Sequence, residues 1–190
     1  MPQSPQTPPA AVQRLLADGA GAGAWALDPA STSVRITSKS MWGLVTAHGT
    51  FKEVAGEGTL GADGAVEGLL TLGAASLDTA NAKRDKHLRS ADFFDTDNHP
   101  EIVVRVSGNA NGADDATADG LPLSAEATVK GTTRVLPVTA AVAPEGSGTD
   151  AVRLTVRTVV DHRTFGITWS PMGMMKPHTD VAVEAVFRRA

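Results

Sequence analysis

The sequence predicts an all-β fold, an antiparallel barrel or sandwich of about eight or nine strands. Two observations carry this. From Trp25 onward apolar and polar residues alternate with a period of two, the pattern of strands that bury one face. Turn chemistry separates the alternating stretches, at "ADG" (62–64), "NANGADDATADG" (109–120) and "APEGSGTD" (143–150). No long helical pattern alternates with them and no internal repeat is seen, so a doubly wound parallel sheet is not expected.

Each stretch assigns its own faces. "SVRITSKS" sets Val34, Ile36, Ser38 and Ser40 against Arg35, Thr37 and Lys39. "AVEGLLTLGAASL" (65–77) is longer and more apolar, and "EIVVRVSG" sets Ile102, Val104 and Val106 against Glu101, Val103 and Arg105. "LPLSAEATVKG" turns Leu121, Leu123, Ala125, Ala127 and Val129 one way and its polar residues the other. "AVRLTVRTVVDH" does the same with Val152, Leu154 and Val156, and "TDVAVEAVFRR" closes the chain in kind. The apolar face is taken as inward, and a slip of one residue would turn a whole strand over.

One interior helix is expected, at about 81–91 within the charge-rich 78–100 connection. Asp78, Thr79 or Asn81 can cap it, Asp85 and Arg89 form an i, i+4 pair, and Pro100 launches the next strand. Residues 1–24 read as a flexible tail: a Pro/Gln-rich start, a short helix that can form through "AAVQRLLADG", then "GAGAG".

Bulk properties exclude several classes. A formal net charge of -4 argues against a general nucleic-acid binder. There is no cysteine, which removes disulfides and thiolate metal sites. The proline-rich start is unlike a secretory signal, and no apolar run is long enough to span a bilayer, so a soluble cytoplasmic protein is expected.

"GEGTLG" (56–61) matches the dinucleotide pattern GxGxxG, but a turn and another strand follow it where a helix is needed, so it reads as hairpin. "DTDNHPE" (95–101) spaces Asp95, Asp97 and His99 like a calcium loop, yet Pro100 stands where that loop needs glycine, and turn chemistry is the better reading. His48, His87, His99, His162 and His178 form no close ligand pair, so no metal is expected. Without GxSxG or cysteine, the common covalent hydrolase plans are absent. "WSPMGMMKP" (169–177) reads as core or lid packing, and a Met-rich segment also adapts to flexible apolar ligands.

"LDTANAKRDKHLRSADFFDTDNHPEI" (77–102) resembles the signature of the YceI-like polyisoprenoid-binding family. "LDPASTSVRI" (27–36), "AHGTF" (47–51), "ATVKGTTR" (127–134) and "DHRTFGI" (161–167) agree with it. The resemblance runs from about Trp25 to the C-terminus. It implies a lipocalin-like antiparallel barrel of about eight strands with an elongated apolar cavity. It also implies non-catalytic binding, storage or transport of a polyisoprenoid, a quinone or a fatty amphiphile. No cofactor and no nucleic-acid partner are expected, and a homodimer is left open. Small inward residues (Ser38, Gly68, Ala74, Ala125, Ala127) would leave space. The expected ligand contacts are Val34, Ile36, Trp42, Phe51, Leu70, Leu72, Phe93, Phe94, Ile102, Val104, Leu123, Ala125, Ala127, Val129, Leu154, Phe165, Ile167 and Trp169. Arg84, His87 and His162 are candidates for a polar head group. The charged connection reads as a cap on the barrel mouth, with Phe93 and Phe94 inward and Lys83, Arg84, Lys86 and Arg89 in water. A plainer reading has Arg84 and Asp85 only bracing the helix. Two alternatives stay open: an enzyme acting on such a lipid, using His87 or His162, and an interaction module whose barrel is filled by its own side chains.

Overall fold

The computed structural model describes residues 10–110, 120–145 and 150–190. The strands are β1 (Gly23–Leu27), β2 (Ser33–Ser40), β3 (Val45–Phe51), β4 (Val54–Leu60), β5 (Ala65–Gly73), β6 (Leu77–Asp78), β7 (Glu101–Asn109), β8 (Leu121–Val129), β9 (Thr132–Pro144), β10 (Ala151–Asp161) and β11 (His178–Arg189). Among the described residues two α-helices accompany them, α1 (Ala10–Leu16) and α2 (Ala82–Arg89). All pairings are antiparallel, in the order β1-β4-β5-β7-β8-β9-β10-β11-β2-β3-β6, and β1 also pairs with β11 to close the ring. β1 and β2 are halves of one long strand, broken where Pro29–Ser31 turn, and β3 and β4 are halves of another. Counted so, the molecule is a closed barrel of eight staves.

The expected inward faces point inward. Val34, Leu72, Ile102, Leu123, Ala125 and Ala127 are all buried, and Ile36, Leu70, Val129 and Leu154 are half-buried. The "ADG" turn forms as read: Gly64 takes φ 81° and Asp63 accepts from the Ala65 amide at 3.1 Å. Of the loops expected at 109–120 and 143–150, residues 111–119 and 146–149 lie outside the described residues. Between β8 and β9, Lys130 and Gly131 both have positive φ (47° and 71°) and are flanked by the pair Val129↔Thr132, a two-residue hairpin of the type that suits strand twist. β9 carries Pro137 in mid-strand. Its ladder to β10 covers only Ala140 to Pro144, so the missing N–H interrupts no bond to that neighbour.

α2 runs over the expected stretch, and Asn81 caps it by accepting from the Arg84 amide at 3.0 Å. The expected Asp85–Arg89 pair does not form. Asp85 turns inward, buried, and accepts from both the amide and the hydroxyl of Thr79, while Arg89 donates to the Ala75 carbonyl at 2.9 Å. A carboxylate near the start of a helix is worth more against a buried N–H donor than in an exposed ion pair.

Two apolar clusters lie inside the barrel. Val34, Phe51, Leu72, Ala74, Leu77 and Ile102 form one, under the α2 connection, with Leu88 and Phe94 packed against them. Ala110, Leu121, Leu123 and Ala140 form the other, toward the opposite end, with Leu16 of α1 against them. α1 lies within "AAVQRLLADG", where the short helix was expected, and sets a side chain against an apolar cluster.

Candidate functional site

The hollow in the barrel follows from where its inward residues are small. On β4 the inward Gly58 lies opposite Gly68 of β5. β8 and β9 add Ala140 opposite Leu121, and β7 is followed by the buried Ala110. Around these positions lies a cavity of about 180 Å³, walled by aliphatic residues from β4, β5 and β7 to β11, with Trp25, Phe187, Leu15 and Leu16 completing it. Glu67 is the one ionisable residue among the described residues that line it, and it is exposed. A second hollow, of about 760 Å³, has a mixed lining in which Glu57, Glu67, Arg105 and Glu126 stand beside Leu69 and Val135. The inner cavity suits an apolar guest because its wall is almost wholly aliphatic: Thr59 and Glu67 are exposed to water, and the Trp25 indole donates to the Gly21 carbonyl.

The expected contact residues divide along the barrel axis. Leu70, Leu123 and Leu154 line the cavity. Ala125 and Ala127 are buried on β8, opposite Val106 and Val104 of β7. Val34, Phe51, Leu72 and Ile102 form the packed cluster at the α2 end, with Ile36, Phe94 and Val129 against it. Phe94 meets Phe51 edge-on at 6.3 Å. Phe165 and Ile167 are buried in the segment after β10. Phe93 is buried and touches His87 at 5.0 Å and Trp169 at 5.4 Å. Trp42 is 64% exposed on the β2–β3 connection, away from the cavity, and Met172 of the Met-rich segment, expected as packing, is 82% exposed.

The candidate head-group residues all have protein partners. Arg84 donates to the hydroxyl and carbonyl of Thr79 at 2.7 and 2.8 Å, which is the bracing role. His87 meets Asp92 at 3.0 Å and Trp169 edge-on at 4.5 Å. His162 sits 3.4 Å from the Thr179 hydroxyl, and burial lowers its pKa from the ordinary 6.5. Beside it, the Arg163 guanidinium holds the Asp161 carboxyl down at about 2. These groups surround the α2 end, whereas the cavity lies toward the other end, where α1 covers it. Among the described residues no cluster of His, Asp and Glu could hold a metal ion.

Several lining residues were not singled out from the sequence. Val138, Ala140 and Val142 alternate along β9, but Pro137 mutes the strand signal there. Leu15 and Leu16 sit in a stretch that looked like tail, and their adjacent leucines were the available sign.

Residues 25–187 match the YceI-like domain model. The chain belongs to the YceI-like family. A UPF0312 protein of Pseudomonas putida is 30% identical over 146 residues, 73% of each chain. Protein YceI of Escherichia coli is 34% identical over 105 residues, 54% of this chain and 51% of that one. A UPF0312 protein of Photorhabdus laumondii is 46% identical over 56 residues, 28% of this chain and 29% of its own length. The match thus spans about half or less of the last two relatives. Among solved structures, Burkholderia cenocepacia BcnA superposes with a TM-score of 0.71 at 19% identity, over 84% of this chain and 98% of that one. A polyisoprenoid-binding domain from Saccharophagus degradans, implicated in plant cell wall breakdown, superposes with a TM-score of 0.67 at 14% identity, over 87% and 98%. At such identities the shared feature is the YceI-like barrel itself. No helix among the described residues is long and apolar enough to cross a membrane.

Proposed function

We propose that this YceI-like barrel binds, stores or carries an amphiphilic lipid with an isoprenoid or similar apolar chain, without transforming it. The observation that supports this most is the cavity at Gly58, Gly68 and Ala140, where the barrel wall has shed its side chains and Glu67, the one ionisable group among the described lining residues, is exposed to water. Catalysis on the guest would need a titratable group beside it. His87 and His162, the candidates for that role, lie at the other end with partners of their own. An interior filled by its own side chains, as an interaction module would have, fits the α2 end but not this one.

Energetics agree with such a guest. Burying a chain of ten carbons, two isoprene units, gains about 8 kcal/mol at roughly 0.8 kcal/mol per group. Ordering the chain removes part of that gain, which leaves affinities of micromolar order or weaker. Selectivity for the head group would then be slight, and the shape of the cavity would decide what fits.

The test is extraction. Protein purified from a host that makes isoprenoids is treated with organic solvent and the extract is read by mass spectrometry. A near-stoichiometric prenyl or acyl lipid is expected. It should be absent from the Gly68→Leu variant, because a Cβ at Gly68 has only ordinary contacts, 3.6 Å at the nearest, and the added side chain would project into the cavity. An empty extract, with no uptake of added prenyl alcohols, would refute the reading.

A further inference from the structure

The cavity ends against α1, a segment that lies before the family-matched residues 25–187. Leu15 and Leu16 both face the hollow, and Leu16 packs on the cluster of Ala110, Leu121, Leu123 and Ala140. The helix is fastened there. The Gly21 amide donates to the Leu15 carbonyl at 2.7 Å, and the Trp25 indole donates to the Gly21 carbonyl at 3.0 Å. Arg189, from the last strand, donates to the carbonyls of Ala20 and Ala22. A Cβ at Gly21 would collide with the Leu15 carbonyl oxygen, so this latch depends on glycine.

Size makes the latch consequential. An apolar cavity of roughly 150 Å³ accommodates a benzene-sized guest. At about 180 Å³ this one takes a comparable segment, one to two isoprene units, before the chain meets the two leucines. We propose that Leu15 and Leu16 are the stop that sets ligand length, so that the barrel selects amphiphiles whose apolar chain has about ten carbons over those with twenty or more. This rests on the reading of the barrel as a lipid binder and adds to it the class of lipid. It also gives α1 a defined role, since the helix replaces the part of the tunnel that a longer chain would occupy.

Equilibrium dialysis of the full chain against labelled geraniol, farnesol and geranylgeraniol tests it, since these alcohols share a head group and differ only in length. The wild type should bind the ten-carbon alcohol at least tenfold more tightly than the twenty-carbon one. Leu15→Ala combined with Leu16→Ala should shift the optimum to fifteen or twenty carbons. Gly21→Ala, which leaves both leucines in place but breaks the latch, should shift it the same way. Circular dichroism of both variants checks that the barrel is intact. Wild type that binds geranylgeraniol as tightly as geraniol would overturn the length stop while leaving the lipid-binding reading standing, as would folded variants with an unchanged profile. If none of the three alcohols binds to any of the proteins, the lipid-binding reading itself fails.

Discussion

His162 is half-buried, and the loss of water around its ring is the main reason that it favours the neutral form; Arg163 and His178 push the same way and Asp161 opposes them. Its pKa is therefore lower folded than unfolded, so the unfolded chain binds the extra proton first. Stability from this residue is complete above the ordinary value of 6.5 and declines as pH falls below it. His162→Asn should flatten that part of the pH–stability curve, and urea unfolding between about pH 5 and pH 7.5 reads the slope directly. Asp161 works lower on the scale. Its carboxyl, held at about 2 by Arg163, adds stability above the ordinary 3.8 that is lost as pH falls toward 2. Arg163 is exposed and Asp161 partly so, and water screens the pair, so Arg163→Ala should lower the melting temperature at neutral pH by no more than about 2–4 °C.

The α2 connection has to be ordered without much apolar surface of its own, and two side-chain acceptors do so. Asn81→Ala should cost about 1 kcal/mol, the usual value of an N-cap. Asp85→Ala should cost more, about 2 kcal/mol, because it leaves the buried Thr79 amide without an acceptor. For a chain of this size each kcal/mol lowers Tm by about 2–4 °C, so a thermal melt separates the two variants. The contrast also marks what was legible. The position of α2 could be read from sequence because it depends on neighbours within a few residues, and its cap was narrowed to Asp78, Thr79 or Asn81, of which Asn81 serves. The turn of Asp85 toward Thr79 could not, since the i, i+4 rule assumes side chains standing in water. β9 was obscured by Pro137, which is tolerated only because the β10 ladder stops short of it.

At the scale of the molecule, period-two alternation was enough to give an antiparallel β fold and its inward faces, since every strand buries one side. It could not say how full the interior is. That depends on which small residues meet across strands, as Gly58 and Gly68 do, and on which segment stops the open end. Cavity residues at the α1 end were accordingly less legible than the packed ones under α2. Ring closure has a further consequence. β11 pairs with β10, β2 and β1, and the register Trp25↔Arg189 joins the two extremes of the barrel sequence. Contacts so distant are entropically the most expensive to form, so refolding should take milliseconds to seconds, as for other proteins dominated by non-local strand pairs. Trp25→Ala should then accelerate unfolding and leave the folding rate nearly unchanged in stopped-flow measurements, because the seam it belongs to zips last. During synthesis the greasy inner faces of the earlier strands would wait uncovered until β11 leaves the ribosome, an interval in which nascent chains are open to aggregation and to chaperones.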